Sequence, residues 1–208
     1  MFERITRREE ADLFVAWMAI AVAFALIQIA PFGILGSNIR IDPVSAIIYF
    51  GIALITVGVG FIIHEMAHKF MAIHYGYWAE FRKDNVMLLV AVVMASLVGF
   101  VFAAPGATVI YSADGRMLSR EENGIISAAG PAVNLLLCIP FAVLFLLGGS
   151  SILALVGLAG IQINAMLATF NMLPVSVLDG KKVLAWSVPA FLLLIGASVA
   201  ILFGSFTL

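Results

Sequence analysis

Residues Val44–Ile63 read VSAIIYFGIALITVGVGFII, and the six residues that follow, His64–Lys69, read HEMAHK. The first stretch carries no charge and is long enough to cross a bilayer as a helix, which takes about 20 apolar residues. The second stretch places two histidines, a glutamate and a lysine within six positions. Ionisable residues at membrane depth are costly and usually functional, so the chemistry of this chain is expected here.

Composition classifies the whole chain. It is 63% hydrophobic and only 11% charged, whereas a soluble domain is about one quarter charged. The chain is therefore expected to be an integral membrane protein. A net charge of −1 gives no electrostatic basis for binding nucleic acid. Cys138 is the single cysteine, which excludes an intrachain disulfide and a cysteine-rich metal site.

Five apolar stretches are long enough to span a membrane. They fall at about 11–35, 44–74, 125–148, 151–172 and 183–206. A sixth stretch, Val86–Phe102, is marginal in length and leads into the strand-like sequence ATVIY at 107–111. Whether this sixth stretch crosses the membrane decides the topology.

The distribution of Lys and Arg favours five spans. If all six stretches cross, the 11 basic residues divide six against five between the two sides. If Val86–Phe102 returns to the side it came from, ten lie together and only Arg40 lies opposite. The positive-inside tendency prefers the second arrangement. We therefore predict an all-α polytopic membrane protein with five transmembrane helices, a re-entrant or membrane-packed helix/strand hairpin, and a cytoplasmic N-terminus.

In this topology three polar motifs meet near the cytoplasmic face. His64, Glu65 and His68 precede the end of the second span by roughly ten residues, or about 15 Å. Gly130-Pro131 and Asn134 begin the span that leaves this face, and Asp179-Gly180 closes the span that returns to it. Read singly, these motifs have ordinary explanations: a polar helix surface, a helix start, an interhelical hydrogen bond and a helix cap. These separate explanations do not account for the prediction that all three motifs lie at the same face of the membrane.

The HExxH spacing indicates a metal site. Residues i and i+4 project from one face of a helix, so His64 and His68 can bind one ion together, and Glu65 can act as a base beside it. A catalytic zinc site needs a third protein ligand and an open position. Asp179 is the only acid or histidine after Glu122, and the break at Pro174 can turn it inward. The other candidates lie in the polar connections around the hairpin: His74, Glu80, Asp84, Asp114, Glu121 and Glu122.

Three motifs in order, HEMAH at 64–68, AAGPAVN at 128–134 and NMLPVSVLDG at 171–180, resemble the site-2 protease family of intramembrane zinc metalloproteases. The resemblance covers a core of about 44–185 within a single membrane protease domain of 1–208. It implies one Zn²⁺ per chain held by His64, His68 and Asp179, with Glu65 as the general base. It also implies that Asn134 and Asn171 position the substrate or stabilise the oxyanion. Lys181 departs from the pattern, because many members carry a second glycine there.

The function expected from this resemblance is zinc-dependent endopeptidase activity on peptide bonds in or near transmembrane segments of membrane proteins. The expected partners are such a substrate and the lipid bilayer, while the oligomeric state is left open. The alternatives are a catalytically inactive binder of membrane helices and a metal-binding membrane carrier. An intact Glu65 argues against the inactive binder. Three strong ligands without an inverted repeat argue against the carrier.

Overall fold

A computed structural model describes residues 5–36, 42–101, 105–112, 115–175 and 177–208. Arg40 and Asp114, which entered the topology and ligand predictions, lie outside these ranges. The elements in chain order are α1 (Arg7–Ile29), α2 (Gly33–Gly36), α3 (Pro43–His74), β1 (Trp78–Lys83), α4 (Asn85–Val98), β2 (Gly106–Tyr111), α5 (Arg120–Gly148), α6 (Ile152–Asn171), α7 (Asp179–Trp186) and α8 (Val188–Ser205).

Five helices in the described part of the chain are long and apolar enough to cross a membrane. They are α1, α3, α5, α6 and α8. The sixth apolar stretch forms α4, which has 14 residues and a length of about 21 Å at 1.5 Å per residue. That is shorter than the hydrocarbon core of about 30 Å. The predicted all-α polytopic membrane fold, with five spanning helices and a shorter apolar helix, is confirmed.

The predicted helix/strand hairpin consists of α4 and β2, and it is joined by a strand that the sequence did not reveal. β1 precedes α4 and pairs with β2 in a two-stranded sheet. Asp84 caps the N-terminus of α4 by accepting hydrogen bonds from two backbone amides of its first turn. Its own amide donates to the carbonyl of Pro105 at 3.0 Å. The β1–β2 pairing and the contacts of Asp84 therefore hold together the two ends of the segment that contains α4.

The C-terminal end of α4 packs closely on the turn between α1 and α2. Gly33 and Gly99 have φ angles of +65° and +71°, in the left-handed region that favours glycine. A Cβ on Gly33 would overlap the backbone of Leu97, and a Cβ on Gly99 would overlap the carbonyl of Pro31. Two glycines therefore permit this close approach.

Capping explains two of the places where element boundaries differ from the sequence prediction. α5 begins at Arg120 rather than near 125, because Ser119 and Glu122 form a reciprocal capping box. Gly130-Pro131 consequently lies inside α5 and not at its start. The last predicted span is two helices, because Ser187 ends α7 and caps α8 by accepting a hydrogen bond from Ala190.

The chain divides into two compact units, Met1–Gly58 with Glu80–Val109, and Val59–Ala79 with Ile110–Leu208. α3 contributes to both units, and the expectation of one domain over 1–208 stays a prediction. In the second unit, α5 and α6 pack with their backbones close together. A Cβ on Gly157 would meet the backbone of Phe145, and one on Gly160 would meet the ring of Phe141. Such small-residue contacts are a usual way for membrane helices to approach.

Candidate metal centre

The two histidines of the HExxH motif lie on one face of the second half of α3 and are almost completely buried. Their Nε2 atoms are 3.0 Å apart. This proximity follows from the i, i+4 spacing, which stacks side chains one turn apart. The motif therefore offers two nitrogen lone pairs to one point inside the protein.

The orientation of each ring is fixed by its other nitrogen. Nδ1 of His68 lies 2.8 Å from the carbonyl oxygen of Ile126 on α5. Nδ1 of His64 is hydrogen-bonded to Oδ1 of Asn134, also on α5. Both partners are oxygens that accept, so each ring carries its proton on Nδ1 and leaves Nε2 as a lone pair. This arrangement of a histidine held by an oxygen acceptor is the usual support of a metal ligand.

Asp179, the first residue of α7, completes the cluster. Its Oδ2 lies 3.1 Å from Nε2 of His68 and 3.6 Å from Nε2 of His64. The other carboxylate oxygen, Oδ1, lies 3.9 Å from Nζ of Lys182. A carboxylate binds a metal ion in its ionised form, so Oδ2 offers a third acceptor atom beside the two ring nitrogens.

Local packing explains how Asp179 reaches the histidines. α6 ends at Asn171, and Pro174 follows in the connection to α7. A Cβ on Gly180 would overlap the carbonyl of Met172, so this glycine lets the start of α7 pack on the end of α6. The other end of α7 is held against α5, because Gly124 leaves room for the side chain of Trp186.

The three side chains fit a tetrahedral zinc ion. Among the described residues, His64, His68 and Asp179 form a group whose ligand atoms all lie within 4.8 Å of one another. Zinc bonds of about 2.0–2.2 Å place the ligand atoms of a tetrahedron about 3.3–3.6 Å apart. The separations of 3.0, 3.1 and 3.6 Å are within a few tenths of an ångström of these values. Three acceptor atoms that converge in a buried site would repel one another without a cation between them.

Glu65 lies next to this cluster and is not one of the three ligand residues. Its side chain is buried, with 7% relative exposure. The carboxylate is close enough to His68 to interact with it electrostatically. The structure thus provides a buried carboxylate that interacts with one of the two histidines of the group.

Gly130 faces the histidines from α5. A Cβ at this position would overlap Nε2 of His64 and Nε2 of His68. The glycine of the AAGPAVN motif therefore provides the space into which both ring nitrogens project. The sequence marked Gly130 as part of a motif but gave no indication of this contact.

The two asparagines of the sequence prediction have different surroundings. Asn134 is fully buried and hydrogen-bonded to His64, as described above. Asn171 donates from Nδ2 to the carbonyl of Leu167, one turn earlier in α6, at 3.0 Å. The structure therefore brings Asn134 into contact with a histidine, whereas the described hydrogen bond of Asn171 stays within its own helix. The roles in substrate or oxyanion binding stay predictions for both.

Two polar groups at the site were missed by the sequence reasoning. The carbonyl of Ile126 holds His68, and the side chain of Asn164 binds Asn134 with an Oδ1 to Nδ2 distance of 2.8 Å. A backbone carbonyl leaves no mark in the residue types. Asn164 did carry a signal, since it is an amide inside an otherwise apolar predicted span.

Several other candidates for the third ligand have partners elsewhere. Glu122 belongs to the capping box of α5 and pairs with Arg116 at 2.5 Å. Asp84 caps α4, and Glu80 pairs with Arg82 on β1. The ring of His74 packs edge-on against Tyr75. Of the candidate third ligands that the structure describes, Asp179 is the one grouped with both histidines.

Comparison with protein-family models and with solved structures gives no match for this chain. Among curated proteins, a protein of Methanocaldococcus jannaschii named "Putative zinc metalloprotease" is 39% identical over 185 residues. The matched region covers 88% of this chain and 87% of the relative. Identity at this level over most of both chains establishes common family membership. The chain therefore belongs to the zinc metalloprotease family of this relative, which agrees with its resemblance to the site-2 proteases.

Proposed function

We propose that the protein is a zinc-dependent intramembrane endopeptidase that hydrolyses peptide bonds in or near transmembrane segments of membrane proteins. The observation that carries the proposal is the convergence of His64, His68 and Asp179 beside Glu65 on helices that include membrane spans. His64 lies ten residues before the end of α3 at His74, about 15 Å along the helix axis. A site at that depth has membrane-embedded peptide within reach.

The chain's own residues have distinct tasks in this mechanism. His64, His68 and Asp179 would hold one Zn²⁺, which when bound polarises a carbonyl and lowers the pKa of water. Glu65 accepts a proton from the attacking water and passes it to the leaving amine. Asn134 and the Ile126 carbonyl keep the two imidazoles in register while the charge at the site changes.

The substrate has to be locally extended before it can be cut. Carbonyl groups in a transmembrane helix are already hydrogen-bonded, so a helical substrate must unwind at the scissile bond. The sheet of β1 and β2 has two strands in the described part of the chain. In this proposal an unwound segment adds to the edge of this sheet, as peptides do in β-augmentation.

The proposed orientation places the N-terminus in the cytoplasm and the site nearer the cytoplasmic face. It rests on the distribution of basic residues, which places Arg7, Arg8, Lys181 and Lys182 on the same side. Water would then reach Glu65 from the cytoplasm.

The test is cleavage by the purified protein in detergent. Zinc content is measured first, and a model transmembrane peptide is then incubated with the protein before and after zinc is removed by a chelator. We expect about one zinc per chain, loss of cleavage on chelation and recovery when zinc is restored. Cleavage that survives complete zinc removal would refute the mechanism. A zinc-loaded protein that binds the peptide without cutting it would favour the inactive helix binder.

A further inference from the structure

Asn164 on α6 is connected to His64 by a chain of buried hydrogen bonds. Its Nδ2 donates to the carbonyl of Gly160 at 2.8 Å, and its Oδ1 accepts from Nδ2 of Asn134 at 2.8 Å. Oδ1 of Asn134 in turn accepts from Nδ1 of His64. The side chains of Asn134 and Asn164 are both fully buried.

This chain of hydrogen bonds has a direction that the backbone imposes. A carbonyl can only accept, so the Gly160 carbonyl requires the amide nitrogen of Asn164 to face it. The oxygen of Asn164 then faces Asn134 and requires the nitrogen of Asn134 in turn. The oxygen of Asn134 is left for His64, which must carry its proton on Nδ1.

A second carbonyl acts in the same sense. Nδ2 of Asn134 also donates to the Gly60 carbonyl of α3 at 3.1 Å. Gly60 lies close to the amide of Asn164, because a Cβ there would be 2.9 Å from its Oδ1. The nitrogen of Asn134 therefore has two acceptors, one each from α3 and α6. If the Asn134 amide were rotated by 180°, its oxygen would face the Gly60 carbonyl and Oδ1 of Asn164, which are both acceptors.

We propose that Asn164 is a positioning residue that fixes the tautomer of His64 through Asn134 and so keeps the Nε2 lone pair available to a metal. This proposal rests on the metal site of the proposed function. Without the acceptor of Asn164, the Gly60 carbonyl alone holds the nitrogen of Asn134, so the amide is less firmly oriented and more often presents its nitrogen to His64. His64 would then carry its proton on Nε2, the atom that faces Asp179 and His68. The tautomer of His68 needs no such relay, because Ile126 binds it directly.

The test compares two substitutions of Asn164. Asn164→Leu has a similar size and removes the acceptor. Asn164→Asp keeps an oxygen acceptor towards Asn134 whether or not its carboxyl is ionised. Zinc affinity is measured by chelator competition. The protonated nitrogen of His64 is read by ¹⁵N NMR of the metal-free, histidine-labelled protein, in which only three histidines have to be assigned.

We expect Asn164→Leu to lower zinc affinity about tenfold, the lower end of the effect of losing an outer support of a metal ligand. Its His64 should show a larger share of protonation on Nε2 than the wild type, which is protonated on Nδ1. The zinc affinity of Asn164→Asp should stay within about threefold of the wild-type value. Loss of a residue that supports a metal ligand usually lowers the affinity at least about tenfold. Ser198→Ala is a matched control that should change neither readout. Ser198 is equally buried, and its hydroxyl donates to the carbonyl of Ile195 in its own helix.

Three results would overturn the proposal. They are an unchanged His64 spectrum and zinc affinity in Asn164→Leu, an Asn164→Asp variant as impaired as Asn164→Leu, and protonation of His64 on Nε2 in the wild type. The last result decides the question even if Asn164→Leu does not fold. Wild-type protein with Nδ1 protonated but no zinc binding would instead refute the proposed function and leave the role of Asn164 standing.

Discussion

Replacing Gly130 by alanine should strongly weaken zinc binding by displacing the histidine rings. A Cβ at Gly130 would lie 2.5 Å from Nε2 of His64 and 2.6 Å from Cε1 of His68, whereas ordinary van der Waals contact begins at 3.4 Å. The rings therefore have to move away by about 0.8–0.9 Å, the difference between these distances. Metal–ligand distances tolerate a deviation of only about 0.2 Å.

The size of the effect follows from this comparison. A displacement about four times the tolerance affects two of the three ligands, so both bonds to zinc are lost or strained. We expect zinc affinity to fall at least 100-fold, which corresponds to about 2.8 kcal/mol at 1.4 kcal/mol per tenfold change. The free energy of unfolding of the metal-free protein should change by less than this amount. Without an ion, the rings can move without breaking a bond to zinc.

The assay is chelator competition for zinc, with thermal unfolding of the metal-free protein as the folding check. Gly196→Ala is the matched control, because a Cβ at Gly196 of α8 meets nothing within 4 Å. Alanine in a helix interior is favoured over glycine by about 0.5–1 kcal/mol, so this variant should be at least as stable as the wild type. A Gly130→Ala protein that binds zinc within about threefold of the wild type would contradict the arrangement in which two ring nitrogens face Gly130.

Three further outcomes are expected. Glu65→Ala should abolish proteolysis and leave zinc content near that of the wild type, because a base and not a ligand is removed; loss of zinc together with activity would assign Glu65 a different role. Asp179→Asn should lower zinc affinity and cleavage together, by about tenfold or more, since it neutralises a ligand; measuring both in parallel separates it from Glu65→Ala, and unchanged zinc affinity would exclude Asp179 as a ligand. Single cysteines at His74 and at Met117, which is 88% exposed, should react with a membrane-impermeant thiol reagent from the cytoplasmic side in a Cys138→Ala background; labelling from opposite sides would mean that the segment between them crosses the membrane.

Much of the fold was predictable because membrane burial imposes strong local requirements. A helix must satisfy its own backbone within the bilayer, so apolar length alone predicts the spanning helices. The HExxH spacing likewise predicts that His64 and His68 share a face, since helix geometry fixes positions one turn apart. Asp179 belonged to a small set of candidate third ligands, and the resemblance to the site-2 proteases implied it among them. Boundaries were less accurate where a cap such as Ser119 set the helix end.

The remaining features of the site depended on how separate helices face one another. The sequence by itself determined the membrane class, the spans, the histidine pair and the small set of candidate third ligands, because each rests on local spacing or composition. Only the tertiary structure brought Asp179 to the histidines and showed the space at Gly130 and the link from Asn164 to His64. These contacts join positions 30 or more residues apart and depend on the rotation and register of whole helices. Neither quantity is encoded in the spacing within one segment.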